Sequence, residues 1–243
     1  MDEQHPSGTP VSRRTFLTAA GVGIAAAVAD PIEAWAAATA APHGGTKLSP
    51  AEALSSLQRG NRRYVLGRLQ HPNQTIQRRK ELRPGQQPFA TVFSCIDSRV
   101  PPEVVFDRGL GDMAVVRTGA HVLDSTIVLG SIEFSVDHLL TPLLLVMGHQ
   151  RCGAVKAAIE AFEHAHDGPG AIPTVVEALR PAYAIAKKGA RSHLVDNMVR
   201  AQTRLTVERL KADSVIKGYM ANHPLRVVGA YFSLDTGVVS IIA

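Results

Sequence analysis

Apolar residues along this chain gather in short dense blocks, set between longer polar stretches with helical spacing. Pro88 to Ser94 predicts a first, buried strand: Thr91, Val92 and Phe93 suit one, and Pro101-Pro102 forbids the backbone from continuing it. Ala114 to Val116 predicts a second strand, introduced by Gly109-Leu110-Gly111-Asp112, and Leu143 to Met147 (LLLVM) a third. Leu225 to Phe232 and Val238 to Ile242 predict a terminal hairpin around Asp235-Thr236-Gly237. The first helix starts at Ser49-Pro50-Ala51-Glu52, where Ser49 caps, Pro50 takes the first position and Glu52 closes a capping box, and it runs to about Tyr64. Asp124 is expected to cap a helix through about Val136, and Gly153 to open one from Ala154 to about Phe162. A loop from Glu163 to Gly170 carries His164 and His166, read as exposed. Two helices follow, the second with Leu194, Met198, Ala201 and Leu205 on one core-facing stripe. Strands alternating with helices give an α/β fold with a mostly parallel sheet.

Composition changes that picture only at the front end. At 243 residues and 45% apolar content the chain can bury one full core, in one domain rather than two. Residues 1–40 stand apart from that domain, which covers 41–243. Ser12-Arg13-Arg14-Thr15-Phe16-Leu17 is a twin-arginine pattern, the run from Ala19 to Ala29 is mildly apolar, and Ala34-Trp35-Ala36 is one of several small-residue cleavage sites. The apolar run is too short and too rich in Gly and Ala to span a bilayer stably. An export signal is therefore expected, placing the mature protein in the periplasm or outside the cell. The formal charge is +5; without residues 1–36 it is 24 basic against 17 acidic residues, or +7. His71 to Pro84 is polar and basic around Arg78-Arg79-Lys80 and predicts a loop and a short helix. No aromatic residues interleave with it, which argues against a nucleic-acid partner.

The candidate chemistry lies where two of the strands stop. Cys95, Asp97 and Arg99 fall within five residues at the end of the first strand, and His149 and Cys152 follow the third. Both loops would lie at the carboxyl edge of a parallel sheet, where ligands bind. Two thiols and an imidazole meeting there make a zinc ligand set. An exported chain with two cysteines would by default form a disulfide, but both thiols here sit among polar loop partners, which favours metal.

Cys95-x-Asp97-x-Arg99 and His149-x-x-Cys152-Gly153, in this order and at strand ends, resemble the β-class carbonic anhydrases. The resemblance runs from about Ser49 to the C-terminus, densest in GNRRYVLGRLQHP, GQQPFATVFSCIDSRVPPEVVFDRGLGD, LGSIEFSV and VMGHQRCGAV. It implies a four-stranded parallel sheet core with an N-terminal helical arm and the C-terminal hairpin, a homodimer or larger homo-oligomer, and zinc held by Cys95, His149 and Cys152. It also implies that Gln86 hydrogen-bonds bicarbonate, that the Gly153 amide helps the site, and that Phe134 lines the carbon dioxide pocket. Arg117 matches as well. Two positions depart from the family: Ala114 stands where a pocket aromatic is usual, and Gly119-Ala120 replaces the usual Ala-Gly or Val-Ala. In some members the equivalent of Asp97 becomes a fourth ligand at lower pH, and a tryptophan three residues before the first cysteine builds a bicarbonate site. That position is Val92, so an open site without bicarbonate inhibition is expected.

Three protein ligands and an open position describe catalytic zinc, whereas structural sites are closed with four. Asp97 is placed to accept a hydrogen bond from hydroxide, and Arg99 to pair with Asp97 and hold it ionised. The reading is a zinc lyase that interconverts carbon dioxide and bicarbonate. A carbon disulfide or carbonyl sulfide hydrolase on the same fold is one alternative, and a non-catalytic zinc- or bicarbonate-binding module is another.

Overall fold

The computed structural model describes residues 48–164 and 168–243; the expected export signal and His166 lie outside them. Helix α1 (Pro50–Val65) begins with the expected capping box: the Ser49 hydroxyl accepts from the Glu52 amide at 3.3 Å, and the Glu52 carboxylate accepts from the Ser49 amide at 2.8 Å. Short helix α2 (Ile76–Glu81) follows. The sheet then forms from β1 (Ala90–Cys95), β2 (Met113–Thr118), β3 (Leu143–His149), β4 (Arg226–Phe232) and β5 (Val239–Ile241). Its order is β2-β1-β3-β4-β5, the first four parallel and β5 antiparallel to β4. The expected four-stranded parallel core and terminal hairpin are both present.

β1 and β3 are buried at every position, which is why they read as apolar runs and not as alternating patterns. Their side chains feed two layers. One holds Val92, Leu145, Met147 and Val228 against Leu57 of α1, Val155 and Met198. The other holds Phe93, Leu144, Val146 and Val227 against Ile132, Leu210 and Ile216. Connections put α3 (Pro102–Val105) after β1, α4 (Thr126–Asp137) after β2, and α5 (Gly153–His164), α6 (Ile172–Ala178), α7 (Arg180–Ala186), α8 (Leu194–Ala212) and α9 (Ser214–Asn222) between β3 and β4.

Several boundaries differ from the sequence expectation. Ser125, not Asp124, caps α4, accepting from the Ile127 amide at 3.2 Å, while the Asp124 carboxylate lies 3.9 Å from Arg209. The two helices expected after α5 are four. Pro181 in the first turn of α7 breaks the first into α6 and α7, and Asp213 caps α9 by accepting from the Val215 and Ile216 amides. β1 and β3 run on to include Cys95 and His149, because neighbouring strands supply backbone partners up to those residues. No helix among the described residues is long and apolar enough to cross a membrane.

The strand order matters for chemistry. The chain steps from β1 outward to β2 and then returns to the other side of β1 as β3. The connections after β1 and β3 therefore diverge and leave a crevice at their carboxyl ends.

Candidate active site

Cys95 closes β1, His149 closes β3, and Cys152 immediately precedes α5, so all three line that crevice. All are buried, and their ligand atoms lie within 4.8 Å of one another. Gly148 makes the approach possible. A Cβ there would sit 2.5 Å from Thr203 Oγ1 and 2.7 Å from Val199 Cγ1, so only glycine lets α8 lie against this end of β3. His149 Nδ1 lies 3.0 Å from the Gln150 carbonyl, to which it donates, leaving the Nε2 lone pair facing the sulfurs. That Nε2 is buried with no hydrogen-bond partner.

The two sulfurs are 3.8 Å apart and both cysteines are free. A disulfide requires about 2.05 Å. Two thiolates on a tetrahedral zinc with Zn–S bonds of about 2.3 Å lie about 3.8 Å apart. Without metal the pair shares one proton. Donation from the Cys152 thiol, with help from the Asp97 and Ala120 amides, lowers Cys95 to about 4 against the opposing effect of burial. The same bond, together with burial, pushes Cys152 up. Amides of Ala154 and Val155 at the start of α5 oppose that rise. A buried S–N–S donor set with an orphaned imidazole nitrogen fits zinc.

Asp97 and Arg99 form the expected fork. Arg99 Nε donates to Asp97 Oδ1 at 2.9 Å and Nη2 to Oδ2 at 2.6 Å, and the Arg99 amide adds a third bond to Oδ1 at 3.0 Å. Arg99 is the main reason the Asp97 carboxyl is held well below the usual carboxylate range. Oδ2 carries one donor and lies 3.9 Å from His149 Nε2, so its remaining lone pair faces the ligands. Asp97 stands beside the triplet and outside it.

Other groups hold this arrangement; the family resemblance marked Arg117 and Gly119-Ala120, and the structure shows what they touch. Arg117 Nε donates to the Cys95 carbonyl at 2.8 Å and Nη2 to the Asp97 carbonyl at 2.6 Å, so it is a positioning residue for the whole loop. The Ala120 amide donates to Cys95 Sγ at 3.3 Å. Ala120 does this from a left-handed backbone (φ 50°), which glycine would adopt more easily, while Gly119 beside it has an ordinary φ. The exchanged Gly119-Ala120 pair thus places its side chain at the strained position. On the far side, Asp235 of the β4–β5 turn accepts from Gln150 at 2.8 Å and Arg151 at 2.6 Å, clamping the loop between His149 and Cys152.

The pocket residues are not gathered here. Ala114 pairs with Thr91 and Thr118 with Cys95, so Ala114 lies four residues, about 13 Å, down the strand from this chain's own sulfurs. Gln86 is exposed, precedes the opposite end of β1, and makes no hydrogen bond to these residues. Phe134 stacks on His138 within α4, with ring centroids 4.7 Å apart. Gly153 alone of the four adjoins the triplet, at the start of α5.

Comparison with known proteins gives this geometry its family. The family model described as carbonic anhydrase matches residues 90–239, which contain the triplet, Asp97 and Arg99. Carbonic anhydrase 2 of Mycobacterium tuberculosis is 43% identical over 190 residues, 78% of this chain and 91% of that one. The chain belongs to the β-class carbonic anhydrase family. Among solved structures, the β-carbonic anhydrase CafA of Aspergillus fumigatus superposes with a TM-score of 0.61 at 26% identity, covering 68% of this chain and 82% of CafA. A tetrameric β-carbonic anhydrase of Sordaria macrospora shares the fold at TM-score 0.62 and 23% identity, covering 79% of this chain and 96% of its own. The family resemblance carried by the two short motifs is confirmed.

Behind the site, His121 is fully enclosed. The Thr203 hydroxyl donates to the Val199 carbonyl at 2.9 Å, so its oxygen accepts from His121 Nε2–H at 3.3 Å, and Nδ1 is left a buried acceptor without a partner. Burial, reinforced by His149, lowers the imidazole from 6.5 to about 3. Above pH 6.5 it is neutral folded or unfolded. Below that the unfolded chain takes up a proton that the folded chain refuses, so stability falls as pH drops toward 3. Between pH 7 and 5 this one residue should remove about 2 kcal/mol. Denaturant titrations of the parent and His121→Gln at both pH values check it; an equal pH dependence in the two would refute the assignment.

Proposed function

We propose that the protein is a zinc-dependent carbonic anhydrase that interconverts carbon dioxide and bicarbonate. The observation that carries this reading is the buried Cys95–His149–Cys152 triplet, beside a carboxylate whose one spare lone pair faces it. Zinc, when bound by those three residues, supplies the Lewis acidity that makes hydroxide available near neutral pH. The chain's own groups do the rest. Asp97 Oδ2 accepts the nucleophile's hydrogen and so turns its lone pair toward carbon dioxide, and Arg99 holds that carboxylate in plane. Two thiolates blunt the metal's acidity. N–H donation to Cys95 from Ala120 and to Cys152 from the start of α5 draws charge off the sulfurs and restores part of it. Both Asp97 oxygens are engaged by Arg99, which supports an open site with three protein ligands at neutral pH. Stopped-flow hydration of carbon dioxide by the zinc-loaded protein tests the reading. Full zinc occupancy with no acceleration over buffer would leave the non-catalytic binding module.

The working unit in this proposal is a homodimer or a larger homo-oligomer. β2 is an edge strand carrying Met113, Ala114, Val115 and Val116, none of them fully buried, and Ile127 on the neighbouring α4 is 79% exposed. An apolar edge of this kind favours pairing with a second copy. Ala114 on β2, Phe134 on α4 and Gln86 then act at the partner's metal site, which accounts for their distance from this chain's own. Mixing Cys152→Ser with Gln86→Ala protein, each inactive or weak alone, should regenerate a fraction of parental activity after subunit exchange. No recovery in demonstrated mixed dimers would place Gln86 outside the reaction. The twin-arginine pattern at Ser12–Leu17 supports export to the periplasm or beyond.

A further inference from the structure

Away from the crevice, the second half of α1 and the loop after it form an open cleft of about 440 Å³ lined by Arg59, Arg62, Arg63, Leu66, Arg68 and Gln70. Four arginines therefore line one cavity. Arg63 is occupied: its Nε donates to the buried Asp107 carboxylate at 2.5 Å. The other three meet no carboxylate among the described residues, and Arg59 reaches only the neutral Ser55 hydroxyl, at 2.7 Å. A fifth arginine presses from behind. Arg108 is half-buried and anchored to Ser56 Oγ at 2.6 Å, and burial, with the charges of Arg63 and Arg59, pulls its pKa down against the opposing Asp112 and Asp107 carboxylates.

Helix electrostatics explains only part of this. Arg62 and Arg63 fall in the last turn of α1, where cations offset the negative end of the helix dipole. Arg59 lies before that turn and Arg68 beyond the helix end, so neither has that role. A cluster of uncompensated like charges stands against folding unless something neutralises it. Guanidinium forks match the tetrahedral oxygens of a phosphoryl group, and each phosphoryl brings about −1.5 to −2 charge at neutral pH. Three unpaired arginines therefore call for at least two phosphoryls. The lining contains no aromatic ring on which a base could stack, which disfavours nucleic acid and nucleotides.

We propose that this arginine cleft binds a soluble oligophosphate of two or more phosphoryl groups, held by Arg59, Arg62 and Arg68. The site is separate from the metal crevice and does not depend on the catalytic reading. Calorimetric titration of sodium pyrophosphate into the zinc-loaded protein at fixed ionic strength tests it, with sodium sulfate and sodium chloride as controls. Saturable pyrophosphate binding and a rise in melting temperature beyond either control are expected. Arg62→Ala/Arg68→Ala, both exposed positions outside the catalytic machinery, should weaken binding by at least about tenfold. Zinc content, hydration rate and the melting temperature without ligand should not fall. Arg59→Gln should weaken binding on its own.

Since the double variant keeps the metal site, an effect due to zinc chelation would persist in it, and such persistence would overturn the proposal. Binding no stronger than that of sulfate at matched ionic strength would overturn it too. So would binding confined to vesicles containing phosphatidylglycerol, which would make the cleft a membrane-facing patch.

Discussion

Replacing Cys152 by serine should strip the protein of zinc and reduce carbon dioxide hydration to the uncatalysed background. In the proposed site the sulfur at this position serves as a ligand because it can become a thiolate, and the amides of Ala154 and Val155 at the start of α5 stabilise that charge. A serine hydroxyl keeps its proton at any working pH, so the triplet would lose an anionic donor and not merely a bond length. The remaining pair, Cys95 and His149, cannot close a site, and His149 Nε2 would stay buried and unsatisfied. Zinc should fall to roughly a tenth of one per chain or less, and thermal stability should fall with it, since metal affinity at such sites is folding free energy. Elemental analysis, a melting curve and a stopped-flow trace on one preparation are sufficient. Stoichiometric zinc in Cys152→Ser would remove Cys152 from the ligand set.

Asp97→Asn should keep its zinc and lose about 10²- to 10³-fold in hydration rate. In the parent, Oδ1 is saturated by the Arg99 amide and Nε, and Oδ2 takes one Nη2 bond and keeps one acceptor position toward the ligands. An asparagine with its NH₂ at the Oδ2 position loses the acceptor that faces the site, and with its NH₂ at the Oδ1 position it sets a donor against the Arg99 amide and Nε and breaks the fork that holds the acceptor in place. Arg99→Ala tests the other half of the dyad. Asp97 would rise toward its ordinary 3.8, still far below neutrality, so its protonation state at pH 7 and above would not change. The loss in Arg99→Ala should therefore be uniform across neutral and alkaline pH, as expected when an oriented acceptor becomes a mobile one. Lysine at 99 should not rescue it, because one ammonium cannot hold both oxygens in plane. A loss that vanishes at higher pH would mean that Arg99 tunes a proton and does not hold a geometry.

Local signals in the chain determined much of this. The Ser49–Glu52 capping box, the mainly apolar, wholly buried β1 and β3, and the Asp235-Thr236-Gly237 turn each carry their cause within a few residues, so α1, the buried strands and the hairpin were legible directly. The triplet was legible for the same reason: Cys95, His149 and Cys152 stand where apolar runs stop, and an α/β alternation sends those stops to one edge. What the chain could not show was anything set by contact between distant segments. Ser125 caps α4 in place of Asp124, although either side chain could do so, and Asp124 lies opposite Arg209, an element away. Arg117 was marked only as a family match, and its role appears once β2 lies beside β1 and its fork meets the carbonyls of Cys95 and Asp97. Gly148 reads as a strand-breaker until α8 closes over it, and His121 as an ordinary polar residue until burial lowers its pKa. Ala114 and Gln86 show the same limit from the other side: motif position marks them as pocket residues, while strand register sets Ala114 away from this chain's own triplet and Gln86 precedes the far end of β1. Hydrogen-bond caps, turns and hydrophobic runs act over a few residues and are written in sequence. Packing distance, desolvation and register depend on which surfaces meet, and only the folded chain decides that.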